Sequence, residues 1–173
     1  GFPVFSGGRT PGIDTGEDVV SPYLWRRSIR RLDAVAISHL HADHAGGAAA
    51  LIDNFRPREL WTAPPPDCAE WRLLAGRAAR RNVHIRVLRR GQRFGYGGAE
   101  IEVLAPAAGY TPGPAPHNAD SLVLRVRYGR HAFLLTGDTE RAGERELLDE
   151  KLAGPADVLK VAHHGSRTST SEE

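Results

Sequence analysis

Lysine is nearly missing from this chain of 173 residues: Lys151 and Lys160 are the only two among 23 basic side chains. The positive charge is therefore carried by arginine, against 21 acidic residues and for a net charge of +2. Arginine presents a planar fork that matches phosphate, so the pairs Arg26-Arg27, Arg30-Arg31, Arg80-Arg81 and Arg89-Arg90 could track a nucleic-acid backbone. An ordinary solvated surface is the simpler reading of any single pair. Cysteine is as scarce. The lone Cys68 excludes an internal disulfide and a cysteine-based zinc knuckle. No run approaches the roughly 18 apolar residues of a membrane span, no signal-peptide pattern opens the sequence, and no internal repeat is evident. What remains, with 40% hydrophobic and 25% charged residues, 19 Gly and 12 Pro, is the composition of one loop-rich globular domain over residues 1–173.

Residues 1–22 read as loop, and a short helix is expected over 22–31 with Tyr23, Leu24 and Ile29 inward. "LDAVAIS" (32–38) is a continuous apolar run of strand length, buried on both faces. "GGAAALIDNF" is expected to be a helix ending before Pro57, and "ELWTA" a strand stopped by Pro64-Pro65-Pro66. In "DCAEWRLLAGRAARR", Asp67 is the expected N-cap of a helix with Trp71, Leu74 and Ala78 on one face. "VHIRVLRR" and "AEIEVLAP" alternate at period two, with "FGYGG" turning between them. "SLVLRVRYG" and "HAFLLTGD" form a further pair, "ERAGERELLDEKL" an amphipathic helix, and "DVLKVAHHGS" a last strand. The pattern predicts an α/β sandwich of two mixed sheets with helices outside. Trp25, Trp61 and Trp71 are expected in the core, and His84 and His131 are assigned no chemistry.

Chemistry concentrates at Ser38-His39-Leu40-His41-Ala42-Asp43-His44, directly after the first apolar strand. Neutral imidazole and carboxylate are the usual ligands of zinc, manganese and iron. His39 and His41, two apart, can face one ion, while Asp43 and His44 lie round the turn for a second. Two other apolar strands finish in the same residue types, at Gly137-Asp138 and at His163-His164-Gly165. Three strands ending in ligand residues predict a convergent metal site, with the Asp138 carboxylate able to bridge two cations.

"HLHADH", "TGD" and "HHG", in this order and spacing, resemble the metallo-β-lactamase superfamily. More narrowly, "VVSPYLWRRSIRRLDAVAISHLHADHAGG", "ADSLVLRVRYGRHAFLLTGDTE" and "DVLKVAHHGSRTSTS" are similar to the C-terminal β-lactamase-like domain of the ComEC family of bacterial DNA channels. The likeness runs from about Val19 to Ser171. It implies the αββα sandwich and two divalent metal ions, Mn or Zn. His39 and His41 would hold the first ion, Asp43 and His44 the second, and Asp138 would bridge them. His164 fits the last ligand position, with His163 as its rival. His117 stands at the spacing of the first ion's third ligand, with Asn118 and Asp120 competing. The superfamily's early Asp-Gly-Gly or Asp-Thr-Gly is imitated by "GIDTG" with Asp14. The element itself is expected before Gly1, and the natural chain is expected to continue beyond "STSEE".

The resemblance further implies a nuclease, with Asp43, Asp138 and His164 as catalytic residues, acting on single-stranded DNA. It would degrade the strand that is not taken up in natural transformation. Ser166, Arg167, Thr168 and Ser169 follow the last ligand and either contact phosphates or form a plain polar loop. The expected setting is a soluble domain of an inner-membrane protein on the extracytoplasmic side, with DNA and the channel portion of the same polypeptide as partners. Two alternatives stand beside it: an ester, thioester or lactam hydrolase on the same scaffold, and a metal-stabilised DNA-binding or channel-docking module with little turnover.

Overall fold

The computed structural model describes residues 13–170, so positions 1–12 of the loop expected over 1–22 and the chain end from Ser171 lie outside the described residues. Two sheets form. The first has β1 (Ala34–Ile37), β2 (Glu59–Thr62) and β3 (His84–Val87), in that order and all parallel. The second has β4 (Arg93–Tyr96), β5 (Ala99–Ala105), β6 (Val123–Tyr128), β7 (His131–Leu135) and β8 (Val158–Lys160). It is antiparallel from β4 to β7, with β8 parallel to β7. Helices α1 (Ser21–Arg26), α2 (Ala42–Ala45), α3 (Ala48–Phe55), α4 (Ala69–Arg80) and α5 (Arg141–Asp149) complete the chain.

Period-two alternation decides the layering. On β2, Leu60 joins Val35, Leu51, Ile52, Phe55, Leu74 and Ala78 under α3 and α4. Its neighbour Trp61 points the other way, into a cluster with Leu88, Ile101, Val103, Leu122 and Leu124 between the sheets. On β5, Val103 faces that inner layer while Leu104 packs with Val123, Leu134 and Leu147 beneath α5. Helix, sheet, sheet, helix is the αββα sandwich. The Trp61 ring locks the two sheets edge-on, its centroid 5.3 Å from Phe94 and 4.9 Å from Tyr96. Trp25 and Trp71 also pack against the first cluster. His84 and His131 are exposed strand positions.

Several boundaries differ from the sequence expectation. Only the five-stranded sheet is mixed. The other is all parallel because each of its connections passes through helix, and such crossovers return strands in one direction. "FGYGG" is mostly strand: Phe94 and Tyr96 lie in β4, and only Gly97-Gly98 turn into β5. "VHIRVLRR" therefore pairs with β2 in the other sheet, not with "AEIEVLAP". Helical structure begins earlier than 22, with a wide turn at Gly16–Val20 capped by the Asp14 carboxylate, which accepts from Gly16 and Glu17 N–H. Helix α1 stops at Arg26, and both Tyr23 and Ile29 are exposed, because so short a helix presents only Leu24 and Trp25 to the core. Asp67 is not the cap of α4. Its carboxylate binds Arg72 at 2.8 Å, and Cys68 stands at the cap position. The last strand is three residues long, ending before the histidines.

Candidate metal centre

Strands β1, β7 and β8 end at one rim of the sandwich, and this is what assembles the site. After β1 the chain leaves the sheet at Ser38, whose carbonyl accepts from Leu122 N–H at 2.8 Å and so ties the two sheets together there. The single turn of α2 follows, with His41 extended at its cap, so that Asp43 and His44 swing back towards the strand ends. After β7, Gly137 takes a left-handed turn (φ 56°), and a Cβ there would meet Ser121 Oγ at 2.8 Å and Ser38 Cβ at 3.0 Å. The tight approach drives Asp138 inward to 2% exposure, its N–H donating to Ser121 Oγ. After β8, His163 and His164 take consecutive left-handed φ of 43° and 53°. Non-glycine residues hold such values only where their surroundings impose them.

Four donors meet. One ligand-type atom from each of Asp43, His44, Asp138 and His164 lies within 4.8 Å of the others. His44 Nε2 is 2.9 Å from Asp138 Oδ2 and 3.1 Å from His164 Nε2. His164 Nε2 is 3.4 Å from both Asp138 Oδ2 and Asp43 Oδ2, and His44 Nε2 is 3.6 Å from Asp43 Oδ2. A small divalent ion with bonds of about 2.0–2.1 Å in a tetrahedral shell separates neighbouring donors by roughly 3.3 Å. The observed spacings bracket that value, and the donor set, two carboxylates and two imidazoles with no thiolate, suits Zn, Mn or Fe. The residues fit a metal ion.

Protonation favours it as well. His39, 2% exposed, has its pKa lowered to about 3, by burial first and then by His44 and His41, against the opposing pull of Asp138 and Asp43. Burial likewise lowers His44, although Asp138 and Asp43 act to raise it. For Asp138, burial pushes upward, but His44, the Lys160 hydrogen bond and charge, and His164 outweigh it and hold the carboxyl low. The buried imidazoles are thus neutral and the buried carboxyl ionised, the states in which these groups ligate metals.

The other expected ligands are placed differently. His39 Nε2 and His41 Nδ1 sit 2.9 Å apart beside the four donors, with the His39 ring centroid 4.2 Å from that of His44. His41 Nε2 faces the Pro116 carbonyl at 3.1 Å. The three candidates for a third ligand of this pair are otherwise engaged. His117 is exposed and its Nδ1 caps a short 3-10 turn, accepting from Ala119 N–H. Asn118 donates to Glu140, and the buried Asp120 accepts from Tyr110 OH at 2.6 Å and from His117 N–H at 2.8 Å. The rivals at the last position separate. His164 joins the cluster, whereas His163 Nε2 stays 3.9 Å from Asp138 and its Nδ1 turns to Thr168 Oγ1 and Glu140. Thr168 also contacts Ser166 Oγ, Arg167 is exposed, and Ser169 is buried with its hydroxyl on the Ala162 carbonyl.

Sequence reasoning passed over the groups behind the ligands. Ser38 Oγ reaches His39 Nδ1 at 3.2 Å and His44 Nδ1 at 3.0 Å, Ser121 receives Asp138 N–H, and Lys160 Nζ donates to Asp138 Oδ1. Second-layer partners of this kind fix ring orientation and ligand basicity. Their signal in the sequence is weak: a serine directly after β1, another just before β6, and a lysine inside "VLKVA" in a chain whose cations are otherwise almost all arginine.

Comparison with known proteins follows the same line. The profile of the metallo-beta-lactamase superfamily matches residues 11–173. The chain is 37% identical over 163 residues to ComE operon protein 3 of Bacillus subtilis (strain 168), covering 91% of this chain and 20% of that protein. It is 33% identical to Recombination protein 2 of Haemophilus influenzae, over 93% of this chain and 18% of that one, and 32% identical to Competence protein ComA of Neisseria gonorrhoeae, over 97% and 21%. It thus spans about a fifth of the length of these relatives. Among solved structures, the MIM-2 metallo-beta-lactamase superposes with a TM-score of 0.57 at 17% identity, over 89% of this chain and 62% of that one. The diiron β-hydroxylase CmlA of Streptomyces venezuelae gives 0.52 at 18%, over 76% and 25%. At such identities the superpositions speak for the fold alone.

Proposed function

The chain belongs to the metallo-β-lactamase superfamily, and from that membership we propose that it is a metal-dependent nuclease that hydrolyses DNA phosphodiesters, with single-stranded DNA as substrate. The observation that carries the proposal is the meeting of Asp43, His44, Asp138 and His164 at the ends of three separate strands. These four residues would hold one divalent ion, Mn or Zn, and the His39–His41 pair would contribute to a second. Bound there, the ions would supply a low-pKa water and Lewis-acid stabilisation of phosphate oxygens.

The chain's own residues do the arranging. Ser38, hydrogen-bonded to both His39 Nδ1 and His44 Nδ1, orients the two rings with their Nε2 atoms away from it. Lys160 and Ser121 hold Asp138 from behind, so that Oδ2 faces the other donors. His164 and Asp43, about half exposed, form the open side by which a substrate arrives. Ser166, Arg167 and Thr168 follow His164 in the chain, and the exposed Arg167 is the residue among them suited to a phosphate. The name of one relative, a competence protein, supports a setting in DNA uptake, where the activity proposed would degrade the non-transported strand. The channel portion of a longer polypeptide would then be the domain's partner.

The test is cleavage of end-labelled single-stranded oligonucleotide by the purified chain, with Mn or Zn added and with chelator, beside a chromogenic lactam. Metal-dependent cleavage of the oligonucleotide is expected. Turnover of the lactam with the DNA left intact would overturn the nuclease assignment in favour of the other hydrolases.

A further inference from the structure

Strand β8 has an inverted burial pattern. Its apolar residues are out, Val158 at 48%, Leu159 at 53% and the following Val161 at 45% exposure, while the side chain of Lys160 between them is only 22% exposed. A solvated edge strand with the ordinary pattern would do the opposite. In a chain whose cations are otherwise almost all arginine, the long basic side chain paired with Asp138 among the described residues is a lysine. Its single nitrogen meets two acceptors at once, the Gly137 carbonyl at 2.6 Å and Asp138 Oδ1 at 3.2 Å, which a compact ammonium with three donors can do and a planar fork cannot match at one point. The backbone of Lys160 is itself fixed, its carbonyl accepting from Thr136 Oγ1 at 2.7 Å across the β7–β8 pair.

The consequence falls on Asp138. One of its oxygens, Oδ2, is 2.9 Å from His44 Nε2 and 3.4 Å from His164 Nε2, whereas Oδ1 is turned to the ammonium. We propose that Lys160 is a positioning residue that occupies Asp138 Oδ1 and so leaves Oδ2 as that carboxylate's single donor to metal. This rests on the reading of the four donors as a metal site. A site built so excludes bidentate chelation by Asp138, keeps a coordination position open for water or phosphate, and lets the one oxygen be shared between neighbouring ions. Lys160 does this without touching an ion itself.

The experiment is a titration of the purified chain with Co2+, read by its visible spectrum and by bound metal after desalting. In Lys160→Met, Oδ1 is released and joins the ion, so a loss of visible band intensity, from the higher coordination number, is expected with the ion retained. Lys160→Cys in a Cys68→Ser background, alkylated with 2-bromoethylamine to rebuild an ammonium at the same reach, should return the original spectrum. A role confined to tying the Gly137 turn to β8 predicts instead a lower melting temperature with an unchanged Co2+ spectrum, and that result in both Lys160→Met and the unalkylated Cys variant overturns the proposal. Failure of the unsubstituted chain to bind Co2+ is a different outcome, which removes the metal site and the role of Lys160 together.

Discussion

Two groups of imidazoles stand side by side at the rim of the sandwich, and they are built unequally. The Asp43, His44, Asp138 and His164 group draws on three chain segments, so its geometry is set by the sheets. Each of its buried members is also held from behind, His44 by Ser38 and Asp138 by Lys160 and Ser121. The His39–His41 pair comes from one loop, and its imidazoles meet each other at 2.9 Å. None of the three expected third donors is free beside it, since His117, Asn118 and Asp120 spend polar atoms on Ala119, Glu140 and Tyr110. Preorganised donors lose little freedom when an ion binds, whereas a pair that must part and recruit a third loses more. With the site read as proposed, the difference predicts one firmly held ion and one weaker one.

The largest effect should come from taking the firm group apart. Asp138→Ala is expected to lower metal affinity by more than about a hundredfold, beyond what substitutions behind the ligands cost, and to abolish oligonucleotide cleavage. His41→Ala should leave one equivalent of metal after dialysis, measured by elemental analysis. Equal loss of all metal in both variants would break the comparison, because it would make the two groups one cooperative site.

A smaller effect is expected from Ser38→Ala. This hydroxyl is the one described side chain that touches an imidazole of each group, at 3.2 Å from His39 and 3.0 Å from His44. Its loss frees both rings to turn, and a fall in metal affinity of about 10- to 100-fold is the cost typical of such partners. Calorimetric titration would show whether the firm and the weak class of binding weaken together, as a shared anchor requires. A change confined to one class would show that the ring contact to the other is incidental.

How far the sequence carried depended on the range of the forces involved. The ligand cluster was legible because strand ends carry side chains in a fixed direction and because His-x-His-x-Asp-His has few competing uses. His164 is preferred over His163 by the family resemblance alone; the residues themselves do not separate the two, since both lie in one turn and the left-handed backbone of each sets which ring turns inward. The hairpin partner of "AEIEVLAP" was missed for a related reason. Phe94 and Tyr96 alternate as a strand should, but the glycines at 95, 97 and 98 mask them, and pairing with β5 together with packing on Trp61 from the opposite sheet keeps that stretch extended. Lys160 stands out in the sequence only as a rare lysine, and its partner is not legible there, because that partner lies 22 positions away, across a parallel strand pair.

His117 gives the smallest effect and the sharpest separation. Its ring nitrogen receives Ala119 N–H at 3.1 Å and its own N–H is received by Asp120 Oδ2 at 2.8 Å, a reciprocal cap on the 3-10 turn of Asn118–Asp120. A nitrogen that accepts a hydrogen bond has its lone pair in use, so Nδ1 is not free for metal while the cap stands, and the proton of the neutral ring is placed on Nε2. His117→Ala should therefore cost about 1 kcal/mol of stability through the lost cap, seen in denaturant unfolding of the metal-free chain. It should leave the firm ion's affinity within about twofold of the original, well below the tenfold that 1.4 kcal/mol would represent. If the weaker ion also binds unchanged, that ion uses His39 and His41 without a third imidazole. If binding of the weaker ion is lost, the cap opens to release His117 as its ligand, and the inequality between the two groups becomes a difference in the energy needed to complete them.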